Sequence, residues 1–170
     1  MKVLFSQSSI QSRIHFLAQE IQTKYQAQEV VFISVLKSAF IFTADLVRHL
    51  TIPNQIDFIQ VTSYGNQKTS SGIVLLLKDV DLNLEGKLVI VVEDIVDSGI
   101  TLEFILNHLQ AKNPKQIEVC TLLYKPEAVI RKHKLDYVGF EIPNHFVVGY
   151  GMDYQEQYRN LKDIWILDDK

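Results

Sequence analysis

Glu93 and Asp94 stand side by side after the apolar run 88–92, and Asp97-Ser98-Gly99-Ile100-Thr101 follows Ile95 and Val96, just ahead of a helical pattern. Two adjacent carboxylates at a strand end can orient the hydroxyls of a sugar and the water shell of a magnesium ion, a cation that prefers oxygen ligands and keeps several waters. The small-residue loop can aim several amides at one spot, Ser98 and Thr101 add hydroxyl donors, and a helix N-terminus adds a partial positive charge. Together these make a phosphate cradle that needs no lysine. Asp97, between the acidic pair and the cradle, is placed to touch whatever lies between sugar and phosphate. A lone Asp-Ser-Gly reads most simply as a turn with a helix cap. The argument for a site rests on the whole string, with a strand-like run before it and a helix after it.

That string, from Val91 to Leu102, resembles the phosphoribosyl-pyrophosphate motif of type I phosphoribosyltransferases. The resemblance implies that Glu93 and Asp94 hold the ribose 2′ and 3′ hydroxyls, directly or through metal-bound water. It implies that Asp97, Ser98, Gly99, Ile100 and Thr101 hold the 5′-phosphate. In the hypoxanthine–guanine branch the aspartate matching Asp97 is the proposed acid/base at purine N7.

Other segments extend the likeness over nearly the whole chain. Leu36-Lys37-Ser38 resembles the branch's pyrophosphate loop, with Ser38 where Gly is more common. Family members often carry a cis peptide before this lysine. Ser63-Tyr64 opens the polar stretch 62–72 and matches the pair that begins the family's mobile lid. Lys125, after Leu123-Tyr124, corresponds to the lysine that donates to the purine O6. The stretch 137–154 resembles the most branch-specific signature, Gly-Phe-Glu-Ile-Pro followed by Phe-Val-Val-Gly-Tyr and Asp-Tyr. By resemblance Phe146 stacks on the purine, the carbonyl of Val147 reads its edge, Asp153 helps hold a second magnesium, and Arg159 contacts pyrophosphate. Taken alone, Lys37 is an exposed lysine, Phe146 a core aromatic, Asp153 a surface carboxylate and His145 a loop residue.

These residues need a scaffold. Ile10, Ile14, Leu17 and Ile21 mark one face of a helix, with residues 6–9 offering caps. Residues 30–33 read as a buried strand, and Phe40, Ala44, Val47 and Leu50 lie on one side of a second helical pattern. Strands are expected at 56–61, 73–77, 88–92 and 117–123, with weaker candidates at 137–140, 146–148 and 164–167. A helix face runs through Leu102, Ile105, Leu106 and Leu109. Alternating strands and helices predict an α/β domain over 1–170. The same alternation argues for a mostly parallel sheet, and the resemblance makes it a twisted sheet flanked by helices, with a small hood formed by the terminal segments. Ligands in such sheets bind beyond the carboxyl ends of the strands, which singles out the loops after Ile33, Val61, Val92 and Leu123.

Composition narrows the partners. Of the 170 residues, 47% are hydrophobic and 22% charged, so the chain can bury a core and is not of the disordered class. Net charge is −3 with Lys and Arg dispersed, which argues against a nucleic-acid surface. Apolar runs are too short to span a bilayer, and no signal-peptide pattern opens the sequence. Cys120, in an apolar alternation, reads as a core residue and suits a reducing compartment. A cytoplasmic enzyme using Mg2+ and forming a homo-oligomer is the expectation from the resemblance. Two other readings compete with a 6-oxopurine enzyme: a transferase for another base, and a ligand-sensing regulator that keeps the fold. A phosphate-loop nucleotidase is disfavoured, since no G-x-x-x-x-G-K-[ST] occurs.

Overall fold

A computed structural model of the chain describes residues 1–64 and 73–167. In chain order the elements are β1 (Lys2–Phe5), α1 (Gln7–Tyr25), β2 (Val30–Leu36), α2 (Phe40–Arg48), β3 (Asn54–Tyr64), β4 (Ile73–Lys78), β5 (Leu88–Val96), α3 (Ile100–Gln110), β6 (Gln116–Tyr124), β7 (Tyr137–Glu141), β8 (Val147–Val148) and β9 (Ile164–Ile166).

The main sheet has the order β4-β3-β2-β5-β6-β7. Its strands run parallel except β4, which pairs antiparallel with β3 at one edge. Alternate residues of the central strands feed two cores. Phe32, Ile90, Val92 and Cys120 pack with α1 and α2, while Val31, Ile33, Val89 and Val91 pack with α3. Coverage on both faces explains why these strands read as continuous apolar runs. The Ser6 hydroxyl caps α1 by accepting the Ser9 amide at 3.3 Å, and Ile10, Ile14, Leu17 and Ile21 are all buried.

A second sheet, β1-β9-β8, is antiparallel and joins the two ends of the chain, as the expected hood requires. Its strand β1 carries no periodic signal of its own.

Two details differ from the sequence expectation. The buried side of α2 is Phe42, Thr43 and Leu46, whereas Phe40 and Ala44 are exposed and Val47 and Leu50 only half-buried. Phe42 and Leu46 bury fully on that side, and between them Thr43 is satisfied inside the protein, its Oγ1 lying 2.7 Å from Ser34 Oγ and 2.9 Å from the Ala39 carbonyl. The strand expected at 88–92 also continues to Val96, so Glu93 and Asp94 lie within β5 instead of after it, with Glu93 in register with Thr121 on β6.

The chain leaves β2 toward β3 on one side, and β5 flanks β2 on the other. The crevice at the carboxyl ends of β2 and β5 is therefore the topological switch point, where open α/β sheets bind ligands.

Candidate active site

Two loops meet at this switch point. One follows β2 and carries Lys37 and Ser38; the other follows β5 and runs from Asp97 into α3. The Leu36–Lys37 peptide is cis.

Along β5, Glu93 and Asp94 are buried at 5% and 8% exposure. Burial, the charge of Asp94 and the charge of Asp97 together hold the Glu93 carboxyl well above the usual range. Burial also pushes Asp94 up, to about 6; the Asp97 charge adds to this, while amide hydrogen bonds and the Arg159 guanidinium oppose it. An acidic pair kept this far from water gains from a bound cation. Among the described residues no group of three or more His, Cys, Asp or Glu could hold a metal ion by itself. The two adjacent carboxylates are all-oxygen donors of the kind that could hold a magnesium ion together with water.

Asp97 is exposed, and its carboxylate accepts the Ser98 amide. Gly99, at φ +79°, turns the chain into α3, and the Glu103 amide returns to its carbonyl at 2.9 Å. The turn is pinned from below, since the Ser98 carbonyl accepts the Ile130 amide at 3.0 Å and the Arg131 amide at 2.9 Å. Ser98 Oγ lies 3.4 Å from the Ile100 amide. The first amides of α3, around Ile100 and Thr101, lack intrahelical partners by position and leave the electropositive end of the helix at this turn.

Lys125 directly follows β6, buried at 7% exposure, with its amide bonded to the Val96 carbonyl at 2.9 Å. Burial lowers its pKa and the nearby Asp97 charge resists that shift. Phe146, just before β8, is 49% exposed and meets Tyr154 edge-on at 5.8 Å between ring centres. It is therefore not the core aromatic that it resembles in isolation. Val147 beside it is buried in β8.

Arg159 ties the hood to the β2 loop. Its Nη1 donates to Ser38 Oγ at 3.0 Å and to the Gly151 carbonyl at 2.9 Å. Its Nη2 pairs with Asp153 Oδ1 at 2.9 Å and Glu156 Oε2 at 3.2 Å. Lys37 reaches the same Glu156 oxygen at 3.1 Å. Ser38, Lys37, Asp153 and Arg159 are thus brought together, and the Arg159 charge is felt at Asp94. Ser63 and Tyr64 close β3, and the rest of the expected lid, 65–72, lies outside the described residues.

Sequence reasoning passed over Glu156, Gly151 and the 130–131 backbone beneath Gly99. Glu156 had one visible signal, its even spacing between Asp153 and Arg159.

Residues 4–155 match the family model of the phosphoribosyl transferase domain. The chain is 46% identical to the hypoxanthine-guanine phosphoribosyltransferase of Mycobacterium tuberculosis, over 98% of this chain and 85% of that one. It is 44% identical to the Bacillus subtilis protein of the same name, over 98% of this chain and 92% of that one. A crystal structure of a hypoxanthine-guanine phosphoribosyltransferase from Bacillus anthracis superposes with a TM-score of 0.94 at 47% identity, covering 99% of each chain. With a buried acidic strand end, a helix-capped anion loop and these relatives, the chain belongs to the phosphoribosyltransferase family.

Proposed function

We propose that the protein transfers the 5-phosphoribosyl group of 5-phosphoribosyl 1-pyrophosphate to hypoxanthine or guanine, giving IMP or GMP and pyrophosphate. The observation that carries this reading is the buried Glu93–Asp94 pair running directly into the Asp97–Thr101 turn at the head of α3. A sugar phosphate fits that geometry, with hydroxyls at the carboxylates and phosphate at the amides.

The leaving group departs as positive charge develops on the ribose. Glu93 and Asp94 hold the ribose hydroxyls and would hold a magnesium ion, and Asp153 would help hold a second. Bound magnesium supplies Lewis-acid stabilisation of the departing diphosphate. Lys37 and Arg159 add their charges there, with the loop amides of Leu36, Lys37 and Ser38. Asp97 takes or shares the N7 proton as N9 attacks, making the base a better nucleophile.

The ammonium of Lys125 donates to O6, an acceptor in 6-oxopurines, where adenine offers a donor instead. Phe146 stacks on the ring and the Val147 carbonyl reads its edge. The Ser63–Tyr64 lid closes over the site and excludes water. The chain acts as one domain, in the cytoplasm, and as a homo-oligomer. An exposed apolar stripe beside α2 supports the last point. It comprises Phe40, Ile56, Phe58, Ile73, Leu75 and Leu77.

The test is an assay of purified protein with magnesium and the ribose donor against hypoxanthine, guanine, xanthine and adenine. Nucleotide should form with hypoxanthine or guanine and not with adenine. Failure with every 6-oxopurine defeats the reading.

A further inference from the structure

Glu156 holds a position that chain geometry disfavours. The amides of Tyr154 and Gln157 each donate to the other's carbonyl, at 3.1 and 3.0 Å, closing a two-residue turn around Gln155 and Glu156. Both central residues have positive φ, 51° and 63°. Turns of that kind favour Asn and Gly, because a side chain in the left-handed region strains the backbone. Here the second central residue is a glutamate, and its side chain goes to a definite place. Glu156 Oε2 lies 3.1 Å from Lys37 Nζ and 3.2 Å from Arg159 Nη2. Its amide is bonded to Asp153 Oδ2 at 2.9 Å, which fixes where the turn sits.

These two cations are the pair assigned above to the leaving diphosphate. We propose that Glu156 is an internal competitor for that subsite: its carboxylate neutralises Lys37 and Arg159 while diphosphate is absent and swings into solvent when diphosphate enters. The inference rests on the diphosphate-binding reading of Lys37 and Arg159.

Three features make the exchange workable. Glu156 is 65% exposed at its side chain and Lys37 54%, so the contact breaks without opening the core. Arg159 is only 18% exposed and stays anchored through Ser38, the Gly151 carbonyl and the Asp153 carboxylate at 2.9 Å when Glu156 leaves, so the charge that Glu156 releases is chiefly that of Lys37. A diphosphate carries more charge than one carboxylate and displaces it, whereas a weakly charged anion does not. The residue therefore filters stray anions from the subsite and helps expel the pyrophosphate product.

The test compares magnesium-supported binding of inorganic pyrophosphate, by calorimetry and by competition with the ribose donor, in wild type, Glu156→Gln, Glu156→Gly and Lys37→Met. Each exposed ion pair is worth little, so loss of both contacts should tighten pyrophosphate about three- to tenfold, lower the KM for the ribose donor, and leave IMP binding unchanged. Glu156→Gly removes the carboxylate while relieving the left-handed strain, so it should show the same gain together with a raised Tm. Unchanged or weaker pyrophosphate binding in both Glu156 variants, with Lys37→Met weakened, overturns the competitor alone. Unchanged binding in Lys37→Met overturns the cation assignment and the competitor with it.

Discussion

Asp97 and Glu93 are both acids on one short stretch of chain, yet their surroundings divide them. Glu93 is buried among like charges that disfavour its ionised form, whereas Asp97 is exposed beyond the strand end, close enough to Lys125 for each charge to act on the other. A group that must exchange a proton with a purine has to reach it, which suits Asp97 and not the buried pair. Asp97→Asn keeps the size of the side chain and removes the base. Single-turnover rates on guanine should fall by about 10²- to 10⁴-fold, the usual range for loss of a positioned acid/base, with the KM for the ribose donor changed far less. An unchanged chemical step would remove Asp97 from the proton transfer. This much was legible from residue order, because Glu93, Asp94, Asp97 and the loop to Thr101 are neighbours in the chain and their chemistry is local. The triangle of Lys37, Glu156 and Arg159 was not legible, because Lys37 and Glu156 are 119 positions apart and only the folded chain brings them together.

Elements set these residues by close backbone contacts, and those contacts are testable. A Cβ built on Gly99 would lie 2.1 Å from the Arg131 carbonyl oxygen, at a φ of +79° that side chains rarely adopt. The obstacle is main chain and cannot rotate away. Gly99→Ala should therefore cost roughly 2–4 kcal/mol in urea unfolding, the sum of left-handed strain and overpacking, and should weaken 5′-phosphate binding. The segment after β4 is held differently, by charge. Burial alone would raise the Asp79 carboxyl, but hydrogen bonds from Lys112, His108 and the Val80 amide outweigh it and hold the group at about 2, below an ordinary 3.8. A carboxyl depressed on folding adds stability that is present above its unfolded value and is lost as pH falls through the folded one. Asp79→Asn should thus lower Tm at pH 5 and above, and the gap to wild type should narrow as pH drops from 3.8 toward 2; a gap that does not vary with pH would refute the ionic account. The central strands were legible as short continuous apolar runs buried on both faces, and the faces of α1 and α3 because helical periodicity reports burial directly. The face of α2 was not, since burial of Phe42 and Leu46 beside the Ser34–Thr43 hydroxyl contact leaves Phe40 outside, and the four apolar residues of the pattern did not separate these two faces; neither was β1, whose partner β9 lies at the other end of the chain.

At the scale of the whole molecule, that misjudged helix face connects with the sheet edge. Ile56 and Phe58 of β3 are in register with Phe32 and Ser34, which puts them on the sheet face covered by α2. Pairing of β4 with β3 sets Ile73 opposite Tyr64 and Leu75 opposite Thr62, carrying the same face to the outer strand. Phe58, Ile73, Leu75 and Leu77 are 37–59% exposed, and Phe40 on the outward side of α2 is 44% exposed. Scattered apolar side chains are ordinary on a surface, but a contiguous set on an edge strand and its neighbouring helix is the pattern of a protein interface, and left bare it would invite aggregation. A self-complementary contact between two copies covers it with the chain's own chemistry. Wild type should therefore sediment as an oligomer, with a Tm that rises with protein concentration, as mass action demands when association stabilises the native state. Phe58→Glu combined with Leu75→Lys places charges in the middle of the stripe without touching the core. That variant should sediment as a smaller species and lose the concentration dependence of Tm. If it instead keeps the wild-type sedimentation coefficient, the copies associate through some other face.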